Sequence, residues 1–351
     1  MAVYRIYPEK DTYLSSEPSI AGTYGNAGKD EILEIGSYLD ANLIARTNRS
    51  IVQFKNSDIT AAINQVNGAS YSTNLKLYLA EGGEIPQSFD IFAHPVTASW
   101  VNGTGKGLDS PKNTTGTSWV YRDALTTEWA TPGGDFDTDI VVSQSFDLSS
   151  DYDLDINVTD IITAQQPIGG RNNAGILLKL SSSLENNVTS SINLKYFSSD
   201  TNTIFPPYLE FKWDHSSYDS SSLSLLTTDI ANISIKNARE KYADSDKVRF
   251  RLSARPQYPT RTFTTSSIYL TEYRLPSASY WGIKDEFSEE MIVDFDTTST
   301  KISADSTSNY FDVYMSSLQP ERYYRLLVKT ELNNNSIVID NKNIFKVTRN
   351  G

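Results

Sequence analysis

Residues 98–137 read ASWVNGTGKGLDSPKNTTGTSWVYRDALTTEWATPGGDFD, and this stretch decides the fold that the sequence predicts. It contains three tryptophans, Trp100, Trp119 and Trp129, and a glycine-containing turn (NGTG or PGGD) follows the first and the third. Glycine supplies the positive φ that tight turns need. An indole buries a large apolar area but needs an acceptor for its N–H, which turn carbonyls provide. The pattern therefore predicts either indoles that plug the end of a β-sandwich or a platform on which sugar rings stack.

A second group of residues precedes this stretch and extends the pattern. Asp11-Thr12-Tyr13, Asn26-Ala27-Gly28, Ile32 to Gly36 and Arg49 to Phe54 follow one another in that order. The pattern DTY…N.G…L.IG…R..I.F, followed by W..G.G…W…W..PGGD, resembles the DNRLRE-type β-sandwich family. The resemblance implies a non-catalytic module of extracellular proteins and tailed-phage particles, with carbohydrate binding in some members. It implies no catalytic residue.

The composition indicates two β-domains and limits the partners. The chain has 351 residues, more than one hydrophobic core usually serves. Its 21 tyrosines and 14 phenylalanines favour half-buried pleated sheets. With no cysteine, disulfides and Cys-ligated metal sites are excluded. The net charge of −12 would repel phosphate groups, so we expect no nucleic-acid partner and no anionic membrane.

Short alternating runs separated by Gly, Pro and Asn turns predict an all-β chain. Runs such as Asn74 to Leu79 and Pro207 to Trp213 show the period of two that a half-buried strand requires. The polar run Asp214 to Ser222 has little to bury and is typical of a linker. We therefore predict a DNRLRE-like jelly roll over residues 1–213, a polar linker over 214–227 and an immunoglobulin/fibronectin-like β-sandwich over 228–351.

The C-terminal domain carries two features of its own. The phrase LQPERYYRL, residues 318–326, resembles the segment that leads into the penultimate strand of fibronectin-like domains. There a tyrosine closes a corner onto the backbone, so Tyr323 or Tyr324 is expected to do so here. Arg255, Tyr258 and Arg261 stand among prolines that cannot continue a central strand, in a loop with residue types favoured at interfaces. This loop is predicted either to contact a partner or to be an ordinary turn.

Candidates for chemistry are few. His94 lies in FAHPV, which is predicted to be a loop, and His215 lies in the predicted linker. With only these two histidines, neither a histidine metal site nor a serine triad is expected. Acidic residues are plentiful, and the sequence leaves a glycosidase pair of carboxylates open. Asp135, Asp137 and Asp139 alternate beside a Gly-Gly turn, which predicts either a structural Ca²⁺ site or a solvated strand face. No other cofactor is expected.

These features lead to one functional prediction and one alternative. The N-terminal stretch MAVYRIYPEKDTY lacks the apolar core of a signal peptide, which favours synthesis in a bacterial cytoplasm. We predict a non-enzymatic structural protein of a tailed-phage virion, in the neck, tail, baseplate or a fibre. It would contact other virion proteins, as part of a symmetric oligomer. The alternative is a carbohydrate-binding module that attaches to cell-surface glycan.

Overall fold

The computed structural model describes residues 2–19, 21–82, 87–166, 169–186, 191–228, 230–260 and 270–349. The chain is all-β, built from antiparallel β-sandwich sheets with a few short helices, as the sequence predicted. It forms two compact units. The large unit comprises Ile6–Ile63 and Ser72–Glu210, and the small unit comprises Met1–Arg5, Asn64–Tyr71 and Phe211–Gly351. The small unit thus takes in two segments from the N-terminal part of the chain, which a linear division into domains does not express.

Up to residue 213 the described residues form a series of strands with three short helices among them. The strands are β1 (Ala2–Ile6), β2 (Pro8–Ser15), β3 (Ile32–Leu39), β4 (Ala45–Phe54), β5 (Tyr71–Leu77), β6 (Leu79–Gly82), β7 (Phe89–Pro95), β8 (Tyr121–Asp123), β9 (Thr127–Glu128), β10 (Val142–Phe146), β11 (Leu154–Asn157), β12 (Ile176–Leu180), β13 (Ile192–Phe197) and β14 (Tyr208–Trp213). The helices are α1 (Asn56–Val66), α2 (Thr159–Ala164) and α3 (Ser182–Asn186).

One eight-stranded sheet dominates the large unit. Its order is β10-β7-β12-β4-β3-β13-β6, and β2 pairs with β4 outside this path. Strand β12 is buried at all five positions, as expected of a central strand, whereas β13 alternates between buried and half-buried residues. Strands β5 and β11 pair separately and antiparallel, from Leu77↔Leu154 to Asn74↔Asn157.

Both edges of β4 are paired, and on one edge the partner changes partway along the strand. Residues 45–48 of β4 pair with β3, and residues 48–54 pair with β2. Asn48 stands opposite Gly36 of β3 and opposite Ser15 of β2. Residues 50–52 of β4 pair with β12 as well as with β2. Strand β2 therefore lies along one edge of β4, and the sheet forks on the other edge, where β3 is replaced by β12.

The small unit is a second sandwich, antiparallel except where β16 pairs in parallel with β23. Its strands are β15 (Ala231–Ile235), β16 (Lys241–Ala243), β17 (Lys247–Pro256), β18 (Ser279–Asp285), β19 (Met291–Val293), β20 (Ser303–Ala304), β21 (Asn309–Tyr314), β22 (Tyr323–Leu332) and β23 (Asn335–Thr348). They form the sheets β15-β17-β21-β20 and β16-β23-β22-β18-β19, and a 3₁₀ turn covers Met315–Ser317. Between the sheets Trp281 stacks on Phe311 at 5.2 Å, and Val3 also packs into this core.

The expected tyrosine corner is confirmed at Tyr324. This residue is 1% exposed, and its hydroxyl donates to the carbonyl of Gln319 at 2.8 Å. Tyr323, the other candidate, is 40% exposed. The buried ring therefore fixes the turn before β22, as in other sandwiches of this type.

The polar segment 214–227 is hydrogen-bonded within the small unit. Ser217 accepts from the backbone N–H of Ala304 at 3.0 Å, and Asp219 donates to the carbonyl of Ala304 at 2.9 Å. Leu226 and Arg274 likewise form a backbone hydrogen bond at 2.9 Å. A polar composition predicted little burial here, but it said nothing about these backbone contacts.

Candidate functional site

Two of the three tryptophans in residues 98–137, the tryptophan loop, fill the interior of the large unit. Trp100 and Trp129 are each 3% exposed and belong to one apolar cluster with Leu14, Ile51 and Leu177. The indole N–H of Trp100 donates to Ala174 O at 2.8 Å, and that of Trp129 donates to Ser118 O at 3.0 Å. Loop carbonyls thus accept the hydrogen bonds of both indole N–H groups, as buried rings that close the end of a sandwich require.

Trp119 is only half-buried and packs beneath a charged group. The guanidinium of Arg49 lies 5.2 Å from its ring centroid and donates to Gly133 O at 3.0 Å. Arg49 also forms a bidentate pair with Glu185, at 3.0 and 2.8 Å. One face of Trp119 is therefore occupied by the protein itself. Stacking of a sugar on Trp100, Trp119 or Trp129 stays a prediction, and Trp119 has the most exposed ring of the three.

Two asparagines fasten the tryptophan loop to the segment before β3. The Asn26 amide donates to Asn102 O at 2.6 Å and to Thr117 O at 2.8 Å, while Asn102 donates to Gly28 O at 2.7 Å. The two backbones approach so closely that a Cβ on Gly28 would lie 1.9 Å from Asn102 O. The N.G and W..G.G motifs thus lock two loops together, which explains why glycine and asparagine occupy these positions.

The predicted calcium residues have other partners. Asp135 accepts from the backbone N–H groups of Ala130 and Thr131, at 2.9 and 2.8 Å. Asp137 accepts from the N–H of Asp139 and pairs with Arg171, and both contacts lower its pKa, the backbone bond most. Across the described ranges, no three His, Cys, Asp or Glu residues are grouped to hold a metal. Calcium binding here stays a prediction, which melting curves with and without a chelator would test.

The remaining sequence candidates lie apart from these loops. His94 is on β7, so its assignment to a loop was wrong; its ring lies 4.8 Å from that of Phe136, and Nδ1 is 3.0 Å from Asp137 O. Burial is the main reason that its pKa is lowered. Arg255 lies near the end of β17, Tyr258 is 77% exposed, and Arg261 lies outside the described residues. Their role at an interface stays a prediction.

A groove lies between the tryptophan loop and residues of β2, β3, β6 and β13, and sequence reasoning did not anticipate it. It encloses about 700 Å³ and is lined by strand residues on one side and by Gly107, Leu108 and Lys112 of the tryptophan loop on the other. Its strand side consists mainly of six residues: Tyr13, Glu34, Tyr38, Glu81, Asn193 and Lys195. We call this site the forked-sheet groove.

Hydrogen bonds fix most of the polar side chains of the forked-sheet groove. Tyr38 donates to Glu17 at 2.8 Å, Lys195 donates to Glu81 at 2.8 Å, and the amide of Asn48 donates to Glu34 at 2.5 Å. The hydroxyl of Tyr13 makes no hydrogen bond to any described residue, although it sits against Gly107, where a Cβ would lie 1.8 Å from it. The groove therefore holds oriented acceptors together with one uncommitted hydroxyl.

Burial and crowding of like charges shift the acids of the groove. Desolvation raises the pKa of Glu34; nearby Lys195 opposes this rise, whereas Asp30, Glu17 and Glu81 add to it. Burial is also the main cause of the raised pKa of the Tyr13 hydroxyl. Lys195 has a raised pKa, chiefly because of its hydrogen bond to Glu81. The groove is thus an acidic, partly desolvated site in which the positive charge of Lys195 is already balanced.

Comparisons with known proteins identify no family. No family model and no curated protein match the chain. Among solved structures, a β-glucuronidase from Parabacteroides merdae is 7% identical over 98% of this chain and 36% of its own, with a TM-score of 0.17. The chain thus spans about a third of that enzyme's length. The tripod from the baseplate of bacteriophage Tuc2009 is 11% identical, covers 100% of both chains and has a TM-score of 0.16. Scores this low carry no argument about function.

One further property concerns membranes. Within the part of the chain that the structure describes, no helix has the length and apolar character needed to cross a bilayer.

Proposed function

We propose that the protein is a non-enzymatic structural component of a phage particle, and that it works by presenting rigid surfaces to other protein chains. The observation that carries the proposal is the tip of the β3–β4 hairpin. There Leu43 is 78% and Ile44 48% exposed, and Leu39 at the base is 45% exposed. Apolar side chains grouped on a surface often mark a protein contact.

The hairpin tip is held in one conformation. Asp40 accepts from the N–H groups of Asn42 and Ile44, at 2.8 and 2.9 Å, and pairs with Arg46 at 2.8 Å. Leu43 has a φ of 61°, in the left-handed region that a leucine rarely adopts. Backbone strain combined with an exposed apolar side chain is typical of a functional position, since stability alone would favour glycine there.

Replacing Leu43 by glycine separates a role in docking from a role in folding. Leu43→Gly removes the side chain and relieves the left-handed backbone, so the melting temperature should hold or rise. Incorporation into purified particles, measured by quantitative mass spectrometry, should fall at least tenfold if Leu43 docks on a partner. If the wild-type protein is found only outside particles, the whole proposal is contradicted.

A variant in the other unit serves as the matched comparison. Replacing Tyr258 and Arg261 together by Ala tests the loop that the sequence singled out as an interface. If this variant is excluded from particles while Leu43→Gly is incorporated normally, the attachment surface lies on the small unit and the hairpin argument fails.

A second candidate function, attachment to cell-surface glycan, is favoured by the forked-sheet groove. Ligand sites are concave, of several hundred Å³, and contain a few oriented polar groups beside aromatic rings. The groove has this size and combines Tyr13 and Tyr38 with carboxylates. Retention of the purified chain on host cell walls, lost after enzymatic removal of the glycans, would support this candidate; equal retention would oppose it.

A further inference from the structure

We propose that the forked-sheet groove is the glycan site, and that it selects an uncharged, polyhydroxylated ligand over an anionic one. The inference rests on the second candidate function and assigns it to the residues of this groove, not to the three tryptophans. Three independent properties of the groove carry it: an uncommitted hydroxyl, a set of fixed acceptors, and a negative balance of charge.

The first property is the hydroxyl of Tyr13. It lines the groove and makes no hydrogen bond to any described residue, so it is available both to donate to and to accept from a ligand. By contrast, the hydroxyl of Tyr38 is committed to Glu17 at 2.8 Å. The hydroxyl faces the groove, where a ligand hydroxyl can replace solvent as its hydrogen-bond partner.

The second property is the arrangement of acceptors. Glu34 is held by Asn48 on one oxygen, Oε2, at 2.5 Å. Glu81 is likewise held on Oε2, by Lys195 at 2.8 Å. Sugar hydroxyls are donors as well as acceptors, so carboxylate oxygens that are already oriented suit them.

The third property is the balance of charge. Four carboxylates line the groove, Glu17, Asp30, Glu34 and Glu81, against the two lysines Lys112 and Lys195. Lys195 is paired with Glu81, and Lys112 donates to Gly107 O. Four carboxylates thus face two ammonium groups, and one of these ammonium groups is already paired with a carboxylate. An anionic sugar would meet uncompensated negative charge, whereas a neutral sugar would not.

Affinity electrophoresis of the full chain tests the inference. The probes are neutral polysaccharides, a glucan, a mannan and a galactan, with polygalacturonate as the anionic counterpart. At least one neutral polysaccharide should retard the wild-type chain, and polygalacturonate should not. Tyr13→Phe removes only the free hydroxyl and should weaken binding about five- to tenfold. Glu34→Gln should weaken it about tenfold, because a charged acceptor is replaced by a neutral one.

Two controls match these changes in chemistry. Tyr121→Phe and Glu128→Gln alter the same residue types in the large unit but outside the groove. Both should bind like wild type, and they and Tyr13→Phe should keep the wild-type melting curve. Glu34→Gln removes a partly buried charge, so its melting temperature should not fall. Since Tyr13 makes no internal hydrogen bond to a described residue, its phenylalanine variant is expected to fold.

Each other outcome overturns the inference in a distinguishable way. If a neutral polysaccharide binds but Tyr13→Phe and Glu34→Gln bind as tightly as the controls, glycan binding stands and the groove is not its site. Stronger retardation by polygalacturonate would refute the selectivity. If no probe retards the chain, the inference and the glycan function fail together, and the structural role is untouched.

Discussion

The tryptophan loop and the forked-sheet groove lie in the same unit and use the same kinds of residues, yet they differ in how their polar groups are satisfied. The indole N–H groups of Trp100 and Trp129 donate to Ala174 and Ser118, whereas the hydroxyl of Tyr13 has no described partner. The most conspicuous sequence motif therefore builds the core. The candidate binding surface comes instead mainly from polar side chains of ordinary strands, which the tryptophan loop borders on one side.

Among changes to the tryptophan loop, Trp129→Ala is expected to have the largest effect on stability. Truncating a buried aromatic side chain should lower the free energy of unfolding by about 3–5 kcal/mol, through lost burial and the cavity left behind. Urea unfolding followed by fluorescence measures it. A loss below about 1 kcal/mol would show that this indole is not part of the core.

Asp11, two residues before Tyr13 on β2, predicts a pH dependence. Burial raises the pKa of this carboxyl to about 6, although Ser199 lowers it through two hydrogen bonds of 2.7 and 2.6 Å. Because the folded state holds the proton more tightly than the unfolded state, Asp11 favours folding at low pH. This contribution is lost as pH rises from about 4 to about 6.

Asp11→Asn should remove this dependence. The neutral amide avoids the cost of a buried charge, so the variant should be more stable than wild type at pH 7, by about 2 kcal/mol. At pH 4 the two proteins should differ little. Urea titrations at both pH values give the comparison, and a variant that is less stable at pH 7 would contradict the assigned pKa.

A smaller effect on the loop side is expected from Gly28→Ala. The added Cβ would overlap Asn102 O, so the two loops must separate, at a cost of about 1–3 kcal/mol. Gly22→Ala is a useful control, because nothing lies within 4 Å of its Cβ and only its φ of 80° opposes the change. Gly22→Ala thus measures backbone strain without a clash, and an unchanged stability of Gly28→Ala would show that close packing of the two loops adds nothing.

The smallest effect is expected on the groove side. Tyr13→Phe should change the free energy of unfolding by less than about 0.5 kcal/mol, as substitutions away from internal contacts do. Calorimetry of both proteins at pH 7 checks it. A large loss of stability would reveal a structural role for this hydroxyl. The groove and the tryptophan loop would then not differ in the way described above.

The sequence predicted the parts of the fold that depend on local pattern. Alternation located strands such as β13, and the LQPERYY phrase located the corner that Tyr324 closes. The sequence-based prediction was wrong at His94. Pro95 suggested a loop there, but a proline can also end a strand, as it does in β7.

The groove could not be predicted, because it depends on pairing between distant strands. Tyr13 and Glu34 were both visible within sequence motifs. Their convergence, however, requires that β2 and β3 pair with opposite edges of β4, and that β13 lie beside β3 in the register Lys195↔Glu34. Hydrophobic periodicity reports which face a residue takes, but not which strand becomes its neighbour.

The membership of Val3 in the core of the small unit has a consequence for biosynthesis. That core also contains Phe345 and Val347 of β23. Ribosomes add about 5–20 residues per second, so residues 2–5 wait tens of seconds before the strands they pack with have been made. The large unit, whose residues all precede 211, can complete its own core during that interval. A stalled or truncated translation product lacking β23 would therefore carry a folded large unit and an N-terminal segment with its apolar side chains uncovered.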